Sequence, residues 1–221
     1  MKKFLKLFKK YIIGDLREKN LSEYITDLIT QNIETKKISI LDFGSGFNPD
    51  VIINIEQKLS NKKIAVNIDC CDFYDEKKLK FLNKKYPKLN FYNLDKLDIE
   101  QKKYDIVIIC DVLHHIGIEN KRLIIETLKN LENISKFIII KDHFEFSIFS
   151  RSLLRFMDFV GNYKDDVTIP KQYFTKSLLA EYLNECGLKE VSDVNLIKLY
   201  GFIFFPFNKN KYQFIKMFKS R

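Results

Sequence analysis

Residues 40–46 read Ile-Leu-Asp-Phe-Gly-Ser-Gly, an apolar run that ends in two closely spaced glycines. The run has the residue types of a buried β-strand, and a helical pattern begins near residue 50. Glycines at such a turn let the backbone approach a ligand closely, and the first N–H groups of a helix attract a carboxylate or phosphate. Because Pro49 stands where the dinucleotide-binding fingerprint has its third small residue, the segment differs from that fingerprint.

From residue 38 onward, short β-branched runs alternate with amphipathic helical stretches. This alternation predicts an α/β fold built on a parallel sheet. The fourth and fifth runs are almost continuously apolar, as strands covered on both faces should be. The predicted strands are 38–43, 64–68, 89–92, 104–110 and 137–141, and the predicted helices between them are 50–59, 75–85 and 119–132.

Acidic residues follow the second and third predicted strands. Asp69 ends the second strand in VNID, and Asp95 follows the third in NLDKLD, where Asp98 is an alternative. The fourth strand lies in YDIVIICDVLHHI. Together with LDFGSG, these segments resemble, in order, the motifs of class I S-adenosylmethionine-dependent methyltransferases. The resemblance covers residues 38–141.

This resemblance implies that S-adenosylmethionine is the cofactor. It implies that Asp69 accepts both ribose hydroxyl protons and that Asp95 contacts the adenine amino group. From the residues alone, Asp42 and Asp69 could instead hold turns through hydrogen bonds, and Asp111 could orient a loop without contacting ligand. The complete predicted cofactor set is Asp42, Gly44, Ser45, Gly46, Asp69, Asp95 and Asp111.

The family resemblance also implies an architecture: a Rossmann-like, seven-stranded, mostly parallel sheet with an antiparallel last strand and helices on both faces. We expect a single domain over residues 1–221, since this length suits one sizeable core. Its predicted parts are N-terminal helices (1–35), a cofactor-binding core (36–143), an aromatic lid inserted after the fifth strand (144–172), and a C-terminal helix and strand pair (173–221).

The two ends of the chain carry further patterns. Residues 2–13 form a basic amphipathic pattern that could dock on the domain or lie on an anionic membrane surface. Ser22 is a suitable N-cap for a second helix that ends near Asn32. Thr175 and Gly187 are suitable caps for a late helix. The apolar runs near 195–205 and 212–218 predict an antiparallel pair.

Histidines provide the candidate catalytic groups. Lys141, Asp142 and His143 close the fifth strand, so His143 is predicted to face the ligand crevice, where an imidazole suits a general base. The alternative for His143 is a helix-capping or surface position. His114 is the second candidate. No metal is expected, because adjacent His114 and His115 should point in different directions and the four cysteines lack zinc-site spacing. The 144–170 segment is also similar to that of a group of uncharacterised bacterial methyltransferases.

The chain has a formal net charge of +9, which favours anionic partners. No nucleic-acid-binding motif accompanies the charge, so nucleic acid is not an expected partner. We expect a cytoplasmic protein that could be peripheral at the inner membrane surface through residues 1–13. The aromatic lid and basic start favour a lipid, quinone or lipid-linked sugar as methyl acceptor. The alternatives are a small soluble metabolite as acceptor, a non-catalytic S-adenosylmethionine-binding module, and a nicotinamide-dependent oxidoreductase.

Overall fold

Seven strands form one sheet in the computed structural model, which describes residues 14–46, 48–96, 102–161, 168–194, 198–199 and 209–220. The order of the strands across the sheet is β3-β2-β1-β4-β5-β7-β6. All neighbouring pairs are parallel except those made by β7, which is antiparallel to both β5 and β6. The strands are β1 Lys37–Phe43, β2 Ala65–Asp72, β3 Asn90–Asn93, β4 Tyr104–Cys110, β5 Ser135–His143, β6 Lys189–Asp193 and β7 Gln213–Lys219.

Helices cover both faces of the sheet. One apolar cluster joins α1, α2 and α3 to one face, and a second joins α4, α5, α6 and α7 to the other. The helices are α1 Gly14–Asn32, α2 Asp50–Asn61, α3 Glu76–Lys85, α4 Leu113–Gly117, α5 Lys121–Ile134, α6 Ile148–Gly161 and α7 Lys176–Cys186. Among the described residues, no helix is long and apolar enough to cross a membrane.

Strand β4 shows why the central strands are apolar on both sides. Ile106 and Ile108 belong to the cluster under α1–α3, whereas Val107 and Ile109 belong to the cluster under α4–α7. Because successive side chains of a strand point to opposite faces, each of these residues enters a different core. The predicted α/β class, the seven-stranded sheet with its antiparallel last strand, and the helices on both faces are therefore confirmed.

The strand order creates a crevice between β1 and β4. The chain leaves β1 towards β2 on one side and later returns to place β4 on the other side of β1. Ligands of open α/β sheets bind outside the carboxyl ends of the strands at such a switch in direction. Gly44, directly after β1, and Val112, two residues after β4, meet at this point.

Helix α1 begins earlier than predicted. It spans Gly14–Asn32, so Ser22 is an interior residue, and its hydroxyl donates a hydrogen bond to the Lys19 carbonyl instead of capping the helix. A serine inside a helix can satisfy its hydroxyl on a preceding carbonyl, which makes it a poor marker of the helix start. The predicted helix over 2–13 lies outside the described residues.

The predicted C-terminal strand pair was wrong in one partner. β7 pairs with β6, which lies at Lys189–Asp193 directly after α7, rather than with a strand over 195–205. Most of 195–205 lies outside the described residues. The late helix is capped as predicted: Thr175 accepts a hydrogen bond from the Leu178 N–H, and Gly187 has a left-handed φ of 76°.

Candidate functional site

The glycine turn after β1 is held against the end of β2. The N–H groups of Gly44 and Ser45 both donate to the Cys71 carbonyl, at 2.8 and 3.1 Å. Gly44 and Gly46 have φ of 73° and 65°, in the left-handed region that favours glycine. The turn therefore needs glycine for its backbone conformation, and at Gly44 also for space beside Val112.

Two side chains from the β2–α3 connection line this turn. Asp72, the last residue of β2, accepts a 2.7 Å hydrogen bond from the Gly46 N–H. The Tyr74 hydroxyl lies 2.6 Å from the Ser45 hydroxyl and donates to the Gly46 carbonyl at 2.5 Å. These contacts place a carboxylate and a phenol beside the backbone of the predicted cofactor loop.

Asp42 is the last residue but one of β1, two residues before Gly44, and has 9% of its surface exposed. Burial and the nearby negative charge of Asp72 raise the pKa of Asp42 to about 7. Within the described part of the chain no side chain neutralises this carboxyl, so the crevice favours a positively charged ligand group near it.

The prediction that Asp69 ends β2 was wrong. Asp69 lies in the middle of the strand, is 4% exposed, and accepts 2.8 Å hydrogen bonds from the Lys102 ammonium and the Tyr104 hydroxyl. Asp72 occupies the position at the strand end that was assigned to Asp69. The error arose because the apolar run of β2 continues through Cys70 and Cys71, which separate the two aspartates.

The structure places Asp95 directly after β3, in a turn of 3₁₀ helix over Leu94–Lys96. Its side chain is exposed, and its N–H donates a 2.8 Å hydrogen bond to the Asn93 side-chain oxygen. The alternative, Asp98, lies outside the described residues. The adenine-contacting role of Asp95 stays a prediction.

Asp111 follows β4 in a left-handed conformation, with φ of 57°. Its carboxylate pairs with Lys141 of β5 and with Arg17 of α1. Lys141 foremost, with Arg17, holds the pKa of Asp111 well below its usual range against the effect of burial. A non-glycine residue in this conformation is strained, which is common at functional sites. Asp111 thus ties the N-terminal helix to the carboxyl end of the sheet.

His114, in the first turn of α4, is completely buried between two carboxylates. Its Nδ1 lies 2.5 Å from Asp142 Oδ1 at the end of β5, and its Nε2 lies 3.4 Å from Asp158 Oδ2 of lid helix α6. Asp142 and Asp158 raise the pKa of His114 to about 10, although burial opposes this. His114 is therefore an imidazolium at neutral pH, and in this arrangement neither nitrogen can accept a proton.

His143 has the opposite electrostatic character. It ends β5 as predicted and is 4% exposed, with Nδ1 3.2 Å from Asp111 Oδ1. Burial and the charge of Lys141 lower the pKa of His143, so its imidazole is neutral at pH 7. The structure thus brings the two predicted catalytic histidines together, with ring centroids 5.3 Å apart, and gives them different protonation states.

The same region brings together atoms of the type that bind metals. Two groups have their ligand-type atoms within 4.8 Å of one another: Asp111, His114, Asp142 and His143, and His114, His115 and Asp158. The argument that adjacent histidines diverge was wrong, because the ring centroids of His114 and His115 lie 4.1 Å apart. Arg17, Lys141 and the His114 imidazolium already oppose the three aspartates, so absence of a metal stays our prediction on electrostatic grounds.

The predicted set missed four groups of this site. Asp72, Asp142, Asp158 and Tyr173 each contact a predicted residue or its partner, and the Tyr173 hydroxyl donates to Asp158 at 2.5 Å. Asp72 carried a signal, since it is the second acidic residue of DCCD and directly precedes a loop. Asp158 begins the Asp-x-x-Gly-Asn stretch over 158–162, which gave it no role, and Tyr173 carried no signal. Both reach His114 only through the folding of the lid.

Comparison with known proteins places this geometry in a structural class. No protein-family model matches the chain, and no curated protein matches it. The structure is similar to the carbon methyltransferase CurJ (TM-score 0.61, 14% identity, 94% of this chain and 55% of that one). It is similar to magnesium protoporphyrin IX methyltransferase from Synechocystis PCC 6803, solved with bound S-adenosylmethionine (TM-score 0.57, 14% identity, 93% of this chain and 80% of that one). It is also similar to an O-methyltransferase family protein from Burkholderia thailandensis, with a TM-score of 0.61 and 11% identity over 90% of this chain and 56% of that one.

The chain has the class I S-adenosylmethionine-dependent methyltransferase fold. It spans about half the length of CurJ and of the Burkholderia protein.

We expect the two glycines of the turn to differ in their tolerance of a side chain. Gly44→Ala should lower the free energy of unfolding by about 3 kcal/mol, about 1 from the left-handed backbone and about 2 from overlap with Val112. Gly46→Ala, which meets no atom within 4 Å, should cost only about 1 kcal/mol. Urea denaturation of both variants measures the difference, and equal losses would contradict the packing argument.

Removing the lid carboxylate should change the titration of His114. In Asp158→Asn, the pKa of His114 should fall from about 10 but stay above 6.5, because Asp142 remains. NMR titration of the imidazole signals measures this shift. Glu145→Gln, another lid carboxylate that is bound to Arg151, is the matched control and should leave His114 unchanged. The same His114 titration in both variants would show that Asp158 does not act on it.

Proposed function

We propose that the chain binds S-adenosylmethionine in the crevice after β1 and transfers its methyl group to an acceptor over the ends of β4 and β5. The observation that carries the proposal is the glycine turn with Asp42 beneath it and Asp72 beside it. No atom lies within 4 Å of the point where a Cβ on Gly46 would stand, so a ligand can approach the backbone there. The buried Asp42 carboxyl suits the cationic groups of the ligand. Asp72 at the end of β2 is placed to accept ribose hydroxyl protons.

The cofactor supplies a methyl group that is already activated by its positively charged sulfur. The protein's task is then to align the acceptor with the methyl carbon and to exclude water. The described elements suit both tasks. α1 reaches the site through the Arg17–Asp111 ion pair, and α6 reaches it through Asp158 beside His114. Two elements from different parts of the chain therefore enclose the acceptor side.

His143 is the better candidate for a general base. Its neutral imidazole can accept a proton from an acceptor hydroxyl at pH 7, whereas His114 is already protonated and is enclosed by Asp142 and Asp158. We assign His114 a positioning role instead, since it links the end of β5 to the lid. A base is needed only if the acceptor loses a proton during transfer.

A lipid, quinone or lipid-linked sugar remains our first candidate for the acceptor, because the lid is rich in aromatic side chains. A small soluble metabolite is the alternative. Measured methyl transfer would distinguish both possibilities from a non-catalytic binding module. Binding of S-adenosylmethionine rather than NAD would distinguish them from a nicotinamide-dependent oxidoreductase.

Calorimetry should detect binding of S-adenosylmethionine and its demethylated product, and none of NAD. Because the cofactor is cationic and the pKa of Asp42 is about 7, affinity for it should rise between about pH 6 and about pH 8 as Asp42 loses its proton. Asp42→Asn should remove this rise. Asp72→Asn should weaken binding more than tenfold, about 1.4 kcal/mol. NAD binding with no response to either sulfur compound would overturn the proposal.

Asp69→Asn is the matched control for Asp72→Asn. It should keep cofactor affinity but lower thermal stability, because Asp69 is buried against Lys102 and Tyr104. Loss of affinity in Asp69→Asn with full affinity in Asp72→Asn would restore the sequence-based assignment.

His143→Ala should lower the rate of methyl transfer by about 10²-fold or more without changing cofactor affinity. The assay follows labelled methyl from S-adenosylmethionine into organic-solvent and aqueous extracts of the source cells. In the unsubstituted protein, activity should fall only below the ordinary histidine pKa near 6.5, because that of His143 is lowered. His115→Ala, a half-buried neighbour, is the control. Full turnover by His143→Ala would remove it as the base.

A further inference from the structure

Helix α3 carries a dense set of lysines on the side that faces away from the sheet. Lys77, Lys80, Lys84 and Lys85 are exposed, and with Phe81 they cover about 140° of the helix circumference, at about 100° per residue. Phe81 lies among them with 54% of its surface exposed. We call these five residues the α3 face. It combines four positive charges with one large apolar side chain.

The α3 face is not needed to hold the helix on the domain. The opposite side of α3 buries Leu82, and Leu79 packs against the same core cluster. The side chain of Asn83 exchanges hydrogen bonds with the backbone of Phe91 in β3, the strand at this edge of the sheet. These contacts fix α3 through its inner side, so the composition of the outer side needs another explanation.

The positive charges of the α3 face are not balanced within the protein. Among the residues that the structure describes, no carboxylate forms an ion pair with a lysine of this face. Lys121 of α5, by comparison, pairs with two glutamates of α7. Like charges three or four residues apart on a helix repel, as Lys77 does with Lys80 and Lys80 with Lys84. An anionic partner would relieve this repulsion.

The helix dipole accounts for only part of this charge. Lys84 and Lys85 lie in the last turn of α3, where the partial negative charge of the C-terminus favours cations. Lys77 is the second residue of the helix, where the partial positive charge of the N-terminus disfavours a cation. The stability of the helix therefore does not explain why its whole outer side is cationic.

We propose that the α3 face docks the protein on an anionic lipid bilayer. Clusters of about four to eight lysines or arginines on an amphipathic helix bind acidic headgroups. Phe81 and the lysine stems enter the headgroup region, while the ammonium groups stay at the lipid phosphates. The face includes none of the residues proposed to bind cofactor or acceptor, so this docking stands or falls independently of methyl transfer.

Single-stranded nucleic acid is the competing anionic partner, and the aromatic rings of this region disfavour it. Proteins that bind single strands offer open aromatic faces on which bases stack. The ammonium groups of Lys78 and Lys85 lie 5.6 and 5.7 Å from the ring centroid of Phe81, and that of Lys85 lies 4.7 Å from the centroid of Tyr86. A base would have to displace these cations before it could stack, whereas a lipid headgroup binds them where they are.

The experiment is co-sedimentation of the full chain with vesicles of phosphatidylcholine alone and of phosphatidylcholine mixed with phosphatidylglycerol, at low and high salt. The unsubstituted chain should bind the anionic vesicles more strongly, and salt should weaken binding because it screens the attraction. The combined change Lys77→Gln, Lys80→Gln, Lys84→Gln and Lys85→Gln should reduce partitioning into anionic vesicles more than about tenfold. Phe81→Ser alone should reduce it at least about threefold, through lost apolar contact.

The matched control removes the same number of charges elsewhere. Lys129 of α5, Lys176 of α7, Lys189 of β6 and Lys219 of β7 are exposed and lie on the other face or at the other edge of the sheet. Their combined replacement by Gln lowers the formal net charge from +9 to +5, as the α3 change does, because each set removes four lysines. The control should bind within about twofold of the unsubstituted chain.

Thermal unfolding checks the fold of each variant, and the double change Lys80→Gln with Lys84→Gln replaces the fourfold α3 variant if that variant is unfolded. Two results would overturn the proposal. One is an equal loss of vesicle binding in the α3 variant and the control, which would make the attraction a property of net charge. The other is no sedimentation with either vesicle. If the chain then binds a polyuridine oligonucleotide and the α3 variant does not, the α3 face is a nucleic-acid surface instead.

Discussion

Charged groups buried at the carboxyl ends of β4 and β5 must be neutralised within the protein, since burial of an unpaired charge costs several kcal/mol. This requirement positions most of the elements around the site. Asp111 draws Arg17 of α1 and Lys141 of β5 to one point. Asp142 fixes the first turn of α4 through His114. The lid follows the same rule, because Asp158 of α6 lies where it can balance the His114 imidazolium.

The site therefore has two ends with different physical characters. At the end proposed to bind the cofactor, backbone geometry dominates: the glycine turn hydrogen-bonds to the end of β2, and no side chain among the described residues neutralises Asp42. At the end over β4 and β5, where the acceptor is proposed to bind, side-chain charges are paired among themselves. A cationic ligand is favoured at the first end, and a neutral base, His143, is available at the second. The two ends meet where Gly44 lies against Val112, so cofactor and acceptor would lie side by side over β1 and β4.

Sequence patterns located the glycine turn after β1 more accurately than the residues around it. The turn is local: its glycines follow a strand directly, and their left-handed conformations are a property of neighbouring residues. The prediction ended β2 at Asp69 and missed Asp72, because a strand end cannot be located from a run whose next residues, Cys70 and Cys71, are also apolar. Ser22 was assigned as a cap for a similar reason, since its residue type suits a helix start and its hydroxyl found a carbonyl instead. Each of these errors concerns an element boundary, where propensity is weakest.

The sequence by itself determined the class of fold, the number of βα units in the first half, the two-sided burial of β4 and β5, and the position of the glycine turn. These follow from the hydrophobic period and from residues that only certain backbone conformations accept. Only the tertiary structure decided which carboxylate stands at the cofactor loop and which histidine is neutral. The pKa of a histidine depends on burial and on nearby charges. The charged residues Asp142, Asp158 and Lys141 are distant from His114 along the chain and come near it only in the folded protein. Those distances are set by how the lid and the sheet pack together, which no local pattern records.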